Sequence, residues 1–518
     1  MPSWLERHER VAVAIFCVAG ALRVLVFSAA FPPFHPIDEP FHFDLVVKYS
    51  SGHVPHHLGS ERFSRETKEA IVLYGTGISQ PRPDLVLLHN SPEYLNPAPS
   101  EGVAPPVWTA PAAMRQAVLP WGTGRWDVVN YEATEPPVYY GLAGAWYRLG
   151  KALGLPGGHQ FYWTRALNGA LFAGVVWLSY LFARDFYPGN RFLAVGVPLL
   201  VAAFPHDSFY GVTNDAPLAP LLFAAALLCL LRISLSERPW PQYGLAGLLV
   251  AATLLTKYSN VAILAALLIP GLAAMRRASV TRSLDHAGKL VVLVLAVLVP
   301  LAAWFTRNYV LSGDATGSYQ RYTALGWSLK GFRTIWDHPF FGPSGPVALV
   351  QPFGQGVLAT LWRGEISWHN APMALQSIDR FYAVSSAVFL AFAVIRLCGA
   401  RERAERTATL TSAATVVFAV ASLAALSTLF DFGDRTRHPT RDWPYFTSAR
   451  LIVGVLVPFV TLYLYGLEWG LARARLRGLA LPVLGALAIL ITASQLVLAS
   501  GPFRSAYNWF QLPWHALR

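Results

Sequence analysis

Apolar residues fall along this chain in long blocks, separated by connections rich in arginine, glycine and proline. The first block runs from about Val11 to Phe31. At about 1.5 Å per helical residue, such a block reaches across a hydrocarbon layer of roughly 30 Å. Further blocks lie near Trp163–Phe182, Phe192–Phe204, Pro217–Leu231, Tyr243–Thr256, Val261–Ala274, Leu290–Phe305, Phe381–Ile395, Ala408–Phe430, Leu451–Leu471 and Leu479–Leu498. The pattern predicts an all-α polytopic membrane protein, with about eleven transmembrane helices in one domain over residues 1–518. Several blocks are short for a bilayer. No small-residue cleavage site follows the first block, which reads as a retained helix rather than a signal peptide.

The stretch Pro136–Leu155 departs from this pattern. It is apolar but carries Arg148 and Lys151 at helical spacing. Counting it as a span reverses the sidedness of everything downstream, and its composition predicts an amphipathic helix on the membrane surface.

The arginines set the orientation. Arg184 and Arg191, Arg232 and Arg238, Arg276, Arg277 and Arg282, then Arg396, Arg401, Arg403 and Arg406, and finally Arg473, Arg475 and Arg477 all share the N-terminus's side. The positive-inside rule makes that side cytoplasmic in a plasma (inner) membrane. The outside receives two large loops, Pro32–Tyr162 and Thr306–Arg380, and a smaller one, Asp431–Arg450.

Composition narrows the function classes. Of 518 residues 54% are apolar and only 14% charged, against about 25% charged in soluble domains. That excludes a disordered chain, an ordinary soluble enzyme and a nucleic-acid-binding tail protein. The net charge of +12 belongs to the flanks of spans and does not point to nucleic acid. Cys17, Cys229 and Cys398 sit far apart in apolar runs and read as buried small side chains, with no disulfide or metal pattern.

Candidate chemistry collects at the predicted outer ends of spans. FHPIDEPFHFD places adjacent carboxylates, Asp38 and Glu39, just after the first span, with His42 one helical turn on. The competing reading is a solvated acidic helix cap. NYEATEPPVYYGL places Glu132 and Glu135 before a double proline and Tyr139, where a structural turn competes. Asn214 and Asp215 lie at the outer end of a later span, where Asp215 also suits an N-cap. Lys257, Arg307 and Arg450 are lone cations on the outer side; either they snorkel to headgroups or they converge on one anion such as a lipid phosphate. DFGDRTRHPTRDW mixes Arg435, Arg437 and Arg441 with Asp431, Asp434 and Asp442 and reads as a solvated loop. Trp327, Trp336, Trp362 and Trp368 suit interface anchors or sugar stacking, and His369 a structural loop position. Arg23 is the charge that stands out inside the spans. The sequence holds no P-loop, dinucleotide glycine fingerprint, HExxH or G-x-S-x-G.

Together these motifs resemble the GT-C superfamily of membrane glycosyltransferases. The protein-mannosyltransferase and aminoarabinose-transferase families are similar, and so is a bacterial family with a Pro-Asp-Glu-Pro-x-His-Phe signature. Here that signature is Ile37-Asp38-Glu39-Pro40-Phe41-His42-Phe43, with its first proline replaced. The Asn214-Asp215, Thr256-Lys257, Arg307-Asn308 and Ala449-Arg450 pairs also fit the family pattern. The resemblance implies inverting sugar transfer from a polyprenyl-phosphate-linked donor to a glycan, lipid or protein acceptor on the extracytoplasmic face. Asp38 is then the general base. Glu39, His42 and Asp215 orient the acceptor or a cation, and Lys257, Arg307 and Arg450 hold the donor phosphate. Relatives often carry a basic or amide residue before Pro-Pro, where this chain has Glu135. Some relatives use a divalent cation, Mg or Mn, for which Asp38 and Asp215 are candidate ligands. The rival class is a transporter or flippase of lipid-linked glycans, which needs charges deep in the spans. Convergence of Asp38, Asp215 and Arg450 discriminates between the two.

The topology is testable on its own. Reporter fusions after Arg191, Arg282 and Arg406 are expected to behave as cytoplasmic, and one after Gly345 as external. The same side reported after Arg191 and Gly345 would overturn the span count.

Overall fold

The computed structural model describes residues 3–34, 38–75, 105–215, 217–281, 284–364, 376–435 and 439–513. Ile37, Arg282, Trp368, His369 and Arg437 lie outside these described residues.

The chain opens with α1 (Ser3–Ala30). The first long connection then forms α2 (Glu39–Ser50), α3 (Arg65–Tyr74), α4 (Ala112–Arg125) and α5 (Pro137–Ala152). A run of apolar helices follows: α6 (Gly157–Phe186), α7 (Arg191–Ala202), α8 (Leu218–Leu235), α9 (Trp240–Leu254), α10 (Ile263–Thr281) and α11 (Leu284–Ser312). The second large loop holds α12 (Ser318–Ala324), α13 (Gly345–Ala348) and α14 (Gln355–Arg363). The bundle is completed by α15 (Gln376–Cys398), α16 (Arg403–Leu429), α17 (Leu456–Arg473), α18 (Ala480–Leu498) and the short α19 (Ser500–Arg504). A two-residue antiparallel pair, β1 (Ser328–Leu329) with β2 (Phe430–Asp431), ties the second loop to the C-terminal end of α16.

Each of the eleven apolar blocks forms a helix. Eight helices among the described residues are long and apolar enough to cross a membrane. The protein is a multi-pass membrane protein. Two of the remaining helices are short: α7 has 12 residues and α9 has 15, or roughly 18 and 22 Å. The connections after them descend into the bundle, where Asn214, Asp215 and Lys257 are buried. Irregular backbone at that depth is tolerated because protein surrounds it.

The stretch over Pro136–Leu155 is α5, packed on α2. Its C-terminal Lys151 pairs with Glu66 of α3 at 2.8 Å, so that end stays with the other helices of the first long connection. Phe34, Phe43, Trp126, Tyr140 and Phe161 form a second apolar core under these surface helices, apart from the core of the bundle.

One buried ion pair fixes where α2 starts. Arg165 of α6 donates to Glu39 through Nε (2.8 Å) and Nη2 (2.6 Å). It also donates to the carbonyls of Ser28, Phe31 and Pro32, which end a helix and lack helical partners. Val212 N donates to Glu39 Oε1 at 2.8 Å. Arg23 is therefore not the one charge set into the spans: Arg165 lies inside the block Trp163–Phe182 and is fully buried.

Two other expectations change. Trp362 is not an interface anchor: it is buried, stacks on Tyr382 at 4.9 Å and donates to Ser386 Oγ at 2.8 Å. Cys398 is exposed, and Cys17 and Cys229 are only partly buried. Each cysteine lies on a helix face the bundle leaves partly open.

Removing one partner of a buried ion pair strands the other charge at a cost of about 3–5 kcal/mol. Arg165→Met is expected to lower unfolding stability by that order in denaturant titrations of detergent-solubilised protein. A loss below about 1 kcal/mol would show that this pair does not hold α2.

Candidate active site

Asp38 is the N-cap of α2, with φ of +61°. A left-handed non-glycine residue costs roughly 1–2 kcal/mol, and aspartate is among the few that tolerate it. The side chain makes no capping hydrogen bond. It turns inward and is buried, so it is not a solvated cap. Tyr131 donates to Asp38 Oδ1 at 2.7 Å, and Arg450 Nη2 donates to Oδ2 at 2.7 Å.

Arg450 is the centre of a larger network. Its Nη1 donates to Asp215 Oδ2 at 3.0 Å. Lys257 bonds Asp215 Oδ1 and donates to Asn214 Oδ1 at 3.0 Å. Asn214 Nδ2 donates to Glu135 Oε2 at 2.5 Å. Glu135 Oε1 accepts from Arg321, whose Nη2 lies 3.0 Å from Glu132 Oε1. The helix after Asp215 is capped at Pro217, so Asp215 is a network member and not an N-cap.

The topology explains the meeting. Asp38 follows α1, Asp215 follows α7, Lys257 follows α9, Arg321 follows α11 and Arg450 follows α16. Side chains that touch lie at one membrane face, so an even number of crossings separates each from the next. The intervals hold α6 and α7, α8 and α9, α10 and α11, and α15 and α16. The contacts therefore count short α7 and α9 as crossings and leave α5 on the surface.

The structure places the expected residues unequally. Asp38, His42, Glu135, Asn214, Asp215, Lys257 and Arg450 come together. Glu39 faces away into its pair with Arg165. Tyr139 is buried on that same side, its hydroxyl held up by burial and by the nearby Glu39 carboxylate. Arg307 joins the first loop: it bonds the carbonyl of Pro55 and Asn308 Oδ1 (3.0 Å) and stacks on Trp304 at 4.5 Å. Glu135, replacing the expected base before Pro-Pro, is supplied with a cation by Arg321. Arg321 and Tyr131 were not foreseen. Arg321 sits in the loop segment SYQRYTALG with no charge pattern around it. Tyr131 stands one residue before Glu132, so the Glu132–Glu135 motif was the signal available.

Electrostatics separates the acids. Burial works to raise Asp38, Asp215 and Glu135. The cations outweigh it and hold all three below the usual carboxylate range: Arg450 for Asp38, Lys257 and Arg450 for Asp215, Arg321 and Lys257 for Glu135. Burial wins at Glu132, whose carboxyl is pushed well up despite Arg321, with Glu135 and Asp38 adding to the rise. His42 is lowered to about 4 by burial and then by Lys257. At neutral pH, the carboxylates of Asp38, Asp215 and Glu135 then face Arg450, Lys257 and Arg321, with His42 neutral.

Asp38, His42 and Glu132 each offer a ligand atom, all within 4.8 Å of one another and all buried. His42 bonds Tyr140 OH at 2.6 Å through Nδ1, which leaves Nε2 for another partner. Two carboxylates and an imidazole are ligand types that divalent cations take. Asp215 is held by two cations and belongs to the other end of the network.

A cavity of about 260 Å³ opens beside these charges. One wall carries Glu135, Lys257, Arg321 and Arg450; the other is aromatic, with Tyr322, Trp327, Phe432, Trp443 and Phe446.

The family described as Predicted membrane protein (DUF2142) matches residues 22–432. The chain belongs to this family. The matched span contains every member of the cluster except Arg450. No curated protein matches the chain. Among solved structures, the archaeal oligosaccharyltransferase AglB from Archaeoglobus fulgidus, in complex with an inhibitory peptide and a dolichol-phosphate, is similar with a TM-score of 0.42 and 11% identity. The alignment covers 98% of this chain and 56% of that one, so the chain spans about half that enzyme's length.

A histidine kept neutral by the fold makes stability pH-dependent. Below its ordinary pKa near 6.5 the unfolded chain binds a proton that folded His42 refuses. Its contribution is full above pH 6.5 and is lost as pH falls towards 4, at about 1.4 kcal/mol per pH unit for one proton. His42→Gln is expected to remove one proton's worth of the decline between pH 6.5 and 4.5, read as unfolding midpoints across pH. An unchanged slope would mean that His42 titrates normally.

Proposed function

We propose that this protein is a glycosyltransferase that moves a sugar from a polyprenyl-phosphate donor to an acceptor hydroxyl on the extracytoplasmic face, with inversion at the anomeric carbon. The observation that carries this reading is the convergence of Asp38, Asp215 and Arg450, from three distant parts of the chain, beside a cavity with one cationic and one aromatic wall. A transporter needs charges along a path through the bundle. Here the network gathers at one end.

The residues have distinct tasks in this reading. Lys257, Arg321 and Arg450 neutralise the donor phosphate, which is also the leaving group. Phosphate binding draws Arg450 away from Asp38 and releases that carboxylate's second oxygen. Asp38, still oriented by Tyr131, accepts the acceptor hydroxyl's proton as oxygen attacks the anomeric carbon and the phosphate–sugar bond breaks. Glu135 and Glu132 hold Arg321, and Asp215 holds Lys257. Glu39 acts at one remove, by fixing the first turn of α2. Asp38, His42 and Glu132 would hold a divalent cation, which supplies Lewis-acid stabilisation of phosphate charge when bound. The aromatic wall suits the apolar part of a lipid-linked donor or a sugar face.

The test is transfer of a radiolabelled sugar from its polyprenyl-phosphate donor by purified protein. Asp38→Asn is expected to fold, to bind polyprenyl phosphate and to lose on the order of 10²–10⁴-fold in turnover. Arg450→Lys keeps the charge but not the fork between two carboxylates, and is expected to weaken lipid phosphate binding by about 1.5–3 kcal/mol. Full turnover in Asp38→Asn would end its assignment as the base.

A further inference from the structure

Between β1 and the start of α14 the second loop presents an apolar surface that no described residue covers. Phe332 is 77% exposed, Trp336 56%, Val347 67% and Val350 69%. Leu329 and Phe341 are exposed as well. Trp336 packs on Phe341 at 4.8 Å and on Phe332 at 6.4 Å, so the aromatics form one patch. The opposite face of the same segment is buried: His338, Ala348 and Phe353 point into the protein. A segment with one buried and one open apolar face is a platform, and the open face needs a neighbour.

Its position says which neighbour. Leu329 pairs with Phe430, the residue after the end of the spanning helix α16, and Lys330 N donates to Leu429 O at 2.9 Å. The patch thus starts at the C-terminal end of a helix long and apolar enough to cross a membrane. It continues the exposed apolar surface of that helix, Val417, Phe418 and Leu429. Exposed Phe and Trp, with Arg333 beside them and Lys330 at the root, match the composition that seats at the headgroup–acyl boundary.

We propose that the segment from Ser328 to Val350 is an interfacial anchor, with Phe332, Trp336, Phe341 and Val347 seated in the outer leaflet of the bilayer. The anchor is rigidly joined to the cavity. Trp327, one residue before β1, lines its aromatic wall, and His338 Nε2 meets the carbonyl of Pro444 at 3.1 Å, next to the lining residue Tyr445. Membrane seating therefore fixes the height of that wall relative to the lipid. This inference stands apart from the reaction proposed above.

The experiment uses the full chain in lipid nanodiscs, with Cys17, Cys229 and Cys398 replaced by alanine. Spin labels are placed singly through Phe332→Cys, Trp336→Cys and Val347→Cys, with Arg65→Cys as a control, since the Arg65 side chain is 90% exposed on α3. Oxygen is expected to out-collide a water-soluble nickel chelate at the three loop positions, and the order is expected to reverse at position 65. In the chain with its cysteines intact, brominated lipid is expected to quench more fluorescence than in Trp336→Phe. Preferential access of the nickel chelate at all three loop positions would overturn the proposal. So would labels shielded from both reagents in a chain that sizes as a dimer, since a protein would then cover the patch.

Discussion

A carboxylate taken out of water has to meet a cation, and Asp38 and Asp215 meet the same one. Arg450 reaches them from the last third of the chain and forks between them. The planar, permanently charged guanidinium suits this task; a lysine offers a point charge without the fixed fork. Much of the surrounding architecture serves the meeting. Short α7 and α9 let their connections sink to its depth, Arg165 ends α1 and sets α2 in register, and Arg321 covers the remaining acids from α12.

The cluster also shows how little of a buried charge network is local. Adjacent Asp38 and Glu39 face different ways, because Asp38 caps α2 in the left-handed region while Glu39 begins the helix. One joins Arg450 and Tyr131 at the cavity; the other joins Arg165 inside the protein. Two neighbouring carboxylates thus do separate work, and it is the less exposed pair that locates the other.

The bundle was legible because a bilayer imposes long apolar blocks, and each of the eleven became a helix. Asp38, Asp215, Lys257 and Arg450 were legible for a related reason: each is a charge at the end of such a block, where a charge is costly unless paired. Arg321 was not, since a lone arginine in a glycine-flanked loop looks solvated until the fold closes over it. Arg165 hid inside an apolar block, where its carbonyl partners belong to another helix. Arg307 looked equivalent to Lys257 from its place at a span's end. Its contacts with Trp304 one turn back and with the carbonyl of Pro55 in the first long connection are set by the fold and leave no mark in hydropathy.

The reach of Arg450 has a consequence for biogenesis. It lies 412 residues after Asp38. At synthesis rates of about 5–20 residues per second, roughly 20–80 s pass between the emergence of one and the other. During that interval the N-terminal helices are already inserted while Asp38 lacks its guanidinium. Closure of the charge network around Asp38 waits for α15 and α16, the two helices that precede Arg450. The order of translation thus leaves Asp38 without Arg450 for most of the chain's synthesis.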